Sequence, residues 1–169
     1  MLTIHNNSVP EIMIQTRLAW LVVLLLWALP LSESARAAES GPPSYFAWKA
    51  ENFAIEEPLG GMVGDPVRGR AIAADQMRGN CLACHQLPFV EEKFHGNLGP
   101  PLAGIASRQQ VGMIRLHVVD QSRFNPETVM PGFYRPAQQL NRVEKKLEGK
   151  TFLSAQDIED VVAWLATLK

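Results

Sequence analysis

The chain has 169 residues, with 16 lysines and arginines against 17 aspartates and glutamates, so its formal net charge is −1. Because the charges are balanced, with no basic stripe and no long acidic tail, the composition argues against a nucleic-acid-binding protein. The length predicts one modest domain after a targeting segment, and the absence of an internal repeat predicts a single copy of any cofactor.

The N-terminus has the pattern of an export signal. Arg17 precedes an apolar run over residues 18–31, and small residues occupy positions 35 and 37, the two that a signal peptidase reads. The run is shorter than the roughly 20 apolar residues of a membrane-spanning helix. We therefore expect residues 1–37 to be a cleavable signal peptide and the mature chain to be periplasmic, without a membrane anchor. A retained anchor is the alternative.

Residues 38–64 follow as a segment rich in proline and glycine that nevertheless carries several aromatic side chains. A free tail would be polar, so this much aromatic area predicts packing on a surface, either that of its own domain or that of a partner. We interpret residues 38–64 as an N-terminal extension that contacts a partner. The aromatic residues of the extension are Tyr45, Phe46, Trp48 and Phe53.

The first helix is predicted to begin at Asp65, which can cap it, with Pro66 at the first helical position, where its missing N–H costs nothing. It is predicted to end near Gly79. Apolar residues at spacings of three and four predict its buried face. That face consists of Val67, Ala71, Ala74 and Met77.

The segment Cys81-Leu82-Ala83-Cys84-His85 comes directly after this helix and contains both cysteines of the chain. Two thiols three positions apart, with an imidazole directly after the second, form the attachment sequence for c-type haem. Each thiol can add across one haem vinyl group, while His85 reaches the iron from the same side. The sequence therefore predicts one covalently bound haem c.

Three other interpretations of the cysteine pair are a disulfide, a redox dithiol and half of a zinc site. A zinc site would need two more ligands at similar spacing, and the chain has no second cysteine or histidine pair. A thioredoxin-like dithiol would lie among alternating strands and helices, whereas the residues before Cys81 are predicted to be helical.

Two further helices are predicted. The second runs from Ser107 or Arg108 to Asp120, and the third begins after Ser154, which forms a capping arrangement with Asp157. Because no segment alternates strongly enough for a sheet, we predict an all-α fold. The expected buried faces are Val111, Ile114 and Val118 in the second helix, and Ile158, Val161, Val162, Leu165 and Leu168 in the third.

The iron face opposite His85 is open to a second ligand, whose choice separates electron carriers from catalysts. Met130 is favoured, because Pro126 and Pro131 lie on either side of it in the loop 125–132. This loop follows His85 in the chain and precedes the last helix. His117 is the second candidate, and simple core filling by Met130 is the alternative. The full set of candidates is Met62, Met77, Met113, Met130, His95 and His117.

A thioether ligand would saturate the iron and leave no site for substrate at the metal, which predicts electron transfer. The other ring nitrogen of His85 then needs an acceptor, usually a backbone carbonyl. The rigid segment 99–102 is a candidate to provide it.

From about Asp65 onward the chain resembles the class I cytochromes c. The resemblance implies a class I cytochrome c domain over residues 65–169, with helices wrapped around one haem. It also implies that the carbonyl of Pro100 accepts from the axial histidine and that Arg108 lies near a haem propionate. The matching residues are Cys81, Cys84, His85, residues 99–104, Arg108, Met130 and residues 159–165.

A narrower resemblance, over most of the mature chain, is to the SoxX family, the monohaem subunits of the SoxAX complex of bacterial sulfur oxidation. It rests on residues 79–85, 96–100 and 125–135, of which the last segment is the most specific, and more weakly on residues 149–150 and 153–160. The resemblance implies a SoxA-like partner subunit, a SoxY-type carrier protein whose cysteine receives thiosulfate, and a downstream electron acceptor.

Three functions stay open from the sequence. The first is the electron-accepting subunit of a SoxAX-like L-cysteine S-thiosulfotransferase, in which this chain contributes no catalytic residue. The second is a free periplasmic electron shuttle, and the third is a haem enzyme or sensor with an open iron. We expect the first, because the aromatic extension favours an obligate partner and the resemblance points to SoxX.

Overall fold

The computed structural model describes residues 45–136 and 150–169, together with residues 139, 145 and 148, so the predicted signal peptide lies outside the described residues. Four α-helices occupy the described part: α1 Pro66–Ala74, α2 Ile105–Arg108, α3 Val111–Asp120 and α4 Ala155–Leu165. Within these residues the only β-type pairing is an isolated bridge between Glu51 and Ala54. The all-α prediction is confirmed.

None of the helices in the described ranges is both long enough and apolar enough to span a membrane. Short 3₁₀ turns connect or flank the helices. These turns are Leu59–Gly61, Cys81–Ala83 and Gln121–Arg123.

Helix α1 begins as the sequence predicts but ends earlier. The Asp65 carboxylate accepts hydrogen bonds from the backbone N–H groups of Val67 at 2.8 Å and Arg68 at 3.3 Å. The helix ends at Ala74, five residues before the predicted end, and the chain then turns. This turn is closed by a hydrogen bond from the Gly79 N–H to the carbonyl of Ile72 at 3.1 Å.

The predicted buried face of α1 is wrong at three of its four positions, since Val67, Ala71 and Met77 are exposed and only Ala74 packs, half-buried, against the core. Val67 and Met77 are each 78% exposed, whereas Gly69, Ile72 and Ala73 are buried. The reason is a close crossing with α4, where a β-carbon on Gly69 would lie 1.9 Å from the carbonyl oxygen of Asp160. Because glycine carries no apolar side chain, its position does not contribute to a hydrophobic pattern. The apolar periodicity of the sequence therefore predicted the wrong face.

Helix α4 matches its prediction. The Ser154 hydroxyl accepts from the Asp157 N–H at 3.1 Å, and the Asp157 carboxylate accepts from the Ser154 N–H at 3.2 Å, which completes a capping box. The helix packs against both α1 and α3. Its predicted stripe is buried at Ile158, Val161, Val162 and Leu165, and Leu168 beyond its end is half-buried.

The predicted second helix is two helices. Gln109 has an extended backbone (φ −140°, ψ 148°), which ends α2, and α3 begins at Val111. Ile114 and Val118 are buried as predicted, whereas Val111 is 45% exposed.

The described part of the extension, residues 45–64, packs on its own domain. Ala54, Ile55 and Leu59 are buried, and the Tyr45 ring stacks on Tyr134 with centroids 5.0 Å apart. This packing accounts for part of the aromatic area that the sequence assigned to a partner. Contact with a partner stays a prediction.

A buried ion pair connects the extension to helices α3 and α4. Arg115 in α3 donates to the Glu159 carboxylate of α4 at 2.9 Å and to the carbonyl of Ile55 at 2.6 Å. The Leu59 N–H donates to the same carboxylate at 2.9 Å. The pair therefore links three segments through one buried carboxylate.

The exposed tip of the extension is a tight turn within the bridge between Glu51 and Ala54. Asn52 and Phe53 both have positive φ angles, 48° and 60°. Phe53 is 61% exposed, and one face of its ring stacks on Phe124 with centroids 5.3 Å apart.

We predict that Gly69→Ala destabilises the fold by about 1 to 3 kcal/mol, because the added methyl overpacks the crossing of α1 with α4. Alanine favours a helix over glycine, so a loss of stability isolates the clash. Urea unfolding of the haem-containing protein measures the change. Val67→Ala, at an exposed position of the same helix, is the control and is expected to stay within about 0.5 kcal/mol. The opposite order of the two variants would contradict the structure.

Candidate cofactor site

A cavity of about 460 Å³ lies beside the segment that carries the two cysteines. It is bounded by that segment, by helices α2, α3 and α4, and by the loop that carries Met130. Most of its wall is apolar, which suits a flat hydrophobic cofactor. The apolar side chains of the wall include Leu102, Ile105, Ile114, Val118, Phe133, Val161 and Leu165.

The cysteines reach the cavity from one 3₁₀ turn. Asn80 enters the turn in the left-handed region (φ 47°, ψ 40°), a conformation that asparagine tolerates better than most residues. The N–H groups of Cys84 and His85 both donate to the carbonyl of Cys81, at 3.2 and 2.9 Å. The turn thereby presents both thiols and the imidazole to the same cavity.

The alternative chemistries of the cysteine pair find no support here. Cys81 and Cys84 do not form a disulfide. Burial raises the pKa of the Cys81 thiol to about 11, the opposite of the lowered pKa that makes a redox cysteine reactive. In the part of the chain that is described, no group of three or more His, Cys, Asp or Glu side chains is placed to hold a metal ion.

His85 is held in one orientation and one tautomer. It is 9% exposed, and its Nδ1 lies 2.7 Å from the carbonyl oxygen of Pro100. Since a carbonyl only accepts, Nδ1 carries the proton and Nε2 keeps its lone pair for a metal. Gly99 lies against the ring, because a β-carbon there would be 2.3 Å from Cε1 of His85.

Arg108 contacts the segment that follows Pro100, from outside the cavity. Its guanidinium donates to the carbonyls of Ala103 at 2.7 Å and Pro101 at 3.0 Å, and it does not line the cavity. Arg108 therefore stabilises the segment next to Pro100, whose carbonyl orients His85, and does not contact the cavity itself. Its predicted position near a haem propionate stays a prediction.

The candidates for the second axial ligand are reduced to two. Met130 and His117 both line the cavity that His85 lines. The Met130 N–H donates to the Thr128 hydroxyl at 3.1 Å, which fixes the loop locally. The candidates that do not line the cavity are Met62, Met77, Met113 and His95.

Sequence reasoning missed two polar residues of the wall, Gln109 and Gln121. Gln121 lies four positions after His117, so helical spacing could have placed the two side chains together. Gln109 lies in the break between α2 and α3, which the sequence did not indicate.

The residues present fit a haem c. Two adjacent thiols, an imidazole with its Nε2 lone pair available and a thioether line one apolar cavity, which is the donor set that such a cofactor requires.

The comparisons with known proteins agree with this site. The chain matches the family model described as Cytochrome c over residues 66–169. Among solved structures it is similar to SoxXA from P. pantotrophus, with 35% sequence identity and a TM-score of 0.65, over 72% of this chain and 94% of that chain. The comparison with curated proteins finds no match.

We predict that Gly99→Ala displaces the His85 ring and weakens its hydrogen bond to Pro100. A weaker bond makes the imidazole a poorer donor to iron, so the reduction potential should rise. Loss of one bond of ~0.5 to 1.5 kcal/mol corresponds to about 20 to 60 mV. Potentiometric titration measures the shift, with Asn97→Ala at an exposed neighbouring position as the control. An unchanged potential would show that Gly99 does not position the ring.

Proposed function

Because the chain belongs to the class I cytochrome c family and is a SoxX-like monohaem cytochrome with one covalently bound haem c, we propose that it is the electron-accepting subunit of a periplasmic SoxAX-like complex. The observation that carries the proposal is the similarity to SoxXA over nearly the whole length of that chain. The complex would join thiosulfate to a cysteine of a SoxY-type carrier protein.

In this proposal Cys81 and Cys84 would hold the haem through thioether bonds, and His85 and Met130 would bind its iron. The haem supplies a one-electron couple between Fe(III) and Fe(II). The Pro100 carbonyl accepts from Nδ1 of His85, which leaves Nε2 available to the iron, and the apolar wall would disfavour water beside it. With His85 and Met130 both bound to the iron, thiosulfate would have no position at the metal.

Met130 is preferred to His117 as the second ligand because of what each side chain already contacts. The His117 ring lies on helix α3 and is held in a stack on Phe124, with centroids 4.2 Å apart. Met130 lies on a loop with proline immediately after it, and its sulfur needs no hydrogen bond.

The reaction assigned to the complex explains why a one-electron acceptor is needed. Joining thiosulfate to a cysteine thiol forms an S–S bond and releases one proton and two electrons. We place this chemistry on a SoxA-like partner and assign no catalytic residue to the present chain. Its part is to accept the electrons one at a time and to pass them to a downstream acceptor.

A free periplasmic shuttle is the second candidate function. The exposed aromatic area of the extension favours the subunit instead, because Phe53 is 61% and Tyr45 41% exposed in the single chain. Export through a cleavable signal over residues 1–37 is common to both proposals.

We predict that Met130→Ala abolishes the weak near-infrared band of an Fe(III)–thioether bond and lets carbon monoxide bind the reduced iron. Removal of the sulfur leaves the distal iron face open. Absorption spectroscopy with and without carbon monoxide measures both effects. Met113→Ala is the matched control, since Met113 does not line the cavity and its loss should leave both spectra unchanged. A persistent band in Met130→Ala would move the assignment to another ligand.

We predict that thiosulfate reduces this haem only when a SoxA-like subunit is present with its carrier protein. The isolated haem-containing chain is mixed with thiosulfate without oxygen, and the reduced haem bands are followed before and after the other proteins are added. Rapid reduction of the isolated chain would refute the subunit proposal and favour a haem enzyme. No reduction in the full mixture would favour the free shuttle.

A further inference from the structure

The loop that carries Met130 leaves the C-terminal end of α3 and returns to it. Before the loop, the Asn125 N–H donates to the carbonyl of Gln121 at 3.1 Å. After the loop, the Tyr134 N–H donates to the carbonyl of Val119 at 3.1 Å. Both ends of the loop are therefore held at one place, with Met130 between them.

A single carboxylate oxygen joins these two ends. Asp120 is the last residue of α3, and its side chain is 5% exposed. Its Oδ1 accepts from the N–H of Ser122 at 3.2 Å and from the Ser122 hydroxyl at 2.7 Å. Arg135 donates to the same oxygen from Nε at 3.0 Å and from Nη2 at 2.7 Å, and Nη2 also donates to the Ser122 hydroxyl at 2.6 Å. Because Asp120 and Ser122 precede the loop and Arg135 follows it, these side chains close its base.

The position of Asp120 is unfavourable for α3 itself. A negative charge at the C-terminus of a helix opposes the helix dipole. Burial alone would raise the pKa of Asp120, but hydrogen bonds led by that from Arg135 hold it below its usual range. The helix gains nothing from an acid at this position, so the contacts across the loop account for it.

The Arg135 side chain also lies directly against the loop. A β-carbon on Gly132 would be 2.6 Å from Nε of Arg135 and 2.9 Å from its Cγ. Gly132 is two positions after Met130, and Pro131 lies between them. Proline stiffens the backbone, so a displacement of Met130 is transmitted to Gly132 and to the Arg135 side chain.

We propose that Arg135, through its bonds to Asp120, is a positioning residue that holds Met130 at the iron and sets how often the thioether leaves it. The inference rests on the proposed ligation by Met130 and extends it from the identity of the ligand to the control of its dissociation. It is independent of the partner subunit.

Arg135→Gln tests the proposal, because it removes the charge and keeps an amide donor. Imidazole added to the Fe(III) protein binds the iron only after the thioether has left. Its binding rate at saturating concentration, followed by stopped-flow absorption, therefore reports the opening of the loop. Without the charge-assisted bonds this rate should rise about tenfold to hundredfold. The near-infrared thioether band should remain, since Met130 is unchanged.

A double-mutant cycle tests whether Arg135 acts through Asp120. Asp120→Asn alone should raise the imidazole rate by a similar factor as Arg135→Gln. The double variant should add little to either single variant, because the two residues form one unit. Independent, multiplying effects would overturn the proposed mechanism.

Two controls separate this role from a merely structural one. The Arg123 Nε lies 3.7 Å from the other oxygen of Asp120, but Arg123 precedes the loop and does not span it. Arg123→Gln should therefore leave the imidazole rate within about twofold. Gly69→Ala weakens the fold at the crossing of α1 with α4, away from the loop, and should also leave this rate within about twofold if the loop opens without general unfolding.

The outcomes distinguish the inference from the proposals on which it rests. An unchanged imidazole rate in Arg135→Gln, with a persistent thioether band, would refute the inference and leave the Met130 assignment intact. An equal rise in Gly69→Ala would also refute it, since the iron would then open by general unfolding. Absence of the band in the unsubstituted protein would instead overturn the ligation by Met130.

Arg135→Lys covers the case in which Arg135→Gln fails to mature. Lysine keeps the positive charge but lacks the paired Nε and Nη2 donors of arginine. The imidazole rate should then rise by a smaller factor than in Asp120→Asn. An unchanged rate in both Arg135→Lys and Asp120→Asn would equally refute the inference.

Discussion

Two adjacent carboxylates on α4, Glu159 and Asp160, form the constraint on which the other elements depend. They are 3% and 1% exposed, and charges so deeply buried are tolerated only when protein groups replace the lost water. Glu159 is paired with Arg115 of α3, and Asp160 accepts from Arg68 and from the Asp65 N–H at the start of α1. Burial alone would raise the pKa of Asp160, but hydrogen bonds led by that from Arg68 hold it below its usual range.

The sequence predicts best what is decided by neighbouring residues. The caps at Asp65 and Ser154 and the haem attachment segment are local, because the groups that interact lie within four positions of one another. The buried face of α1 is not local, since it is set by a glycine that another helix approaches. The burial of the Glu159 carboxylate is likewise not decided by neighbouring residues. From the sequence alone, a polar residue in an amphipathic stripe normally indicates a solvent-facing position.

The candidate site also contains features that neighbouring residues decide and features that they do not. Cys81, Cys84, His85 and Met130, chosen from spacing and loop character, all line one cavity, and the Pro100 carbonyl is within hydrogen-bond distance of His85. The polar residues Gln109 and Gln121 were missed, because glutamine has no motif and its role depends on which wall it faces. Arg108 was placed by resemblance alone, and its contacts with backbone carbonyls depend on a loop geometry that no residue pattern encodes.

The turn at Asn52 and Phe53 combines an unfavourable backbone conformation with an aromatic ring that covers Phe124. A phenylalanine at positive φ is held against a steric penalty of about 1 to 3 kcal/mol, and a glycine would remove that penalty. A glycine would also remove the ring that covers the outer face of Phe124. Phe124 is half-buried, and more of its surface would then contact water, one ring away from an imidazole on the cavity wall. The strained turn thus keeps an apolar layer between the solvent and that side of the cavity.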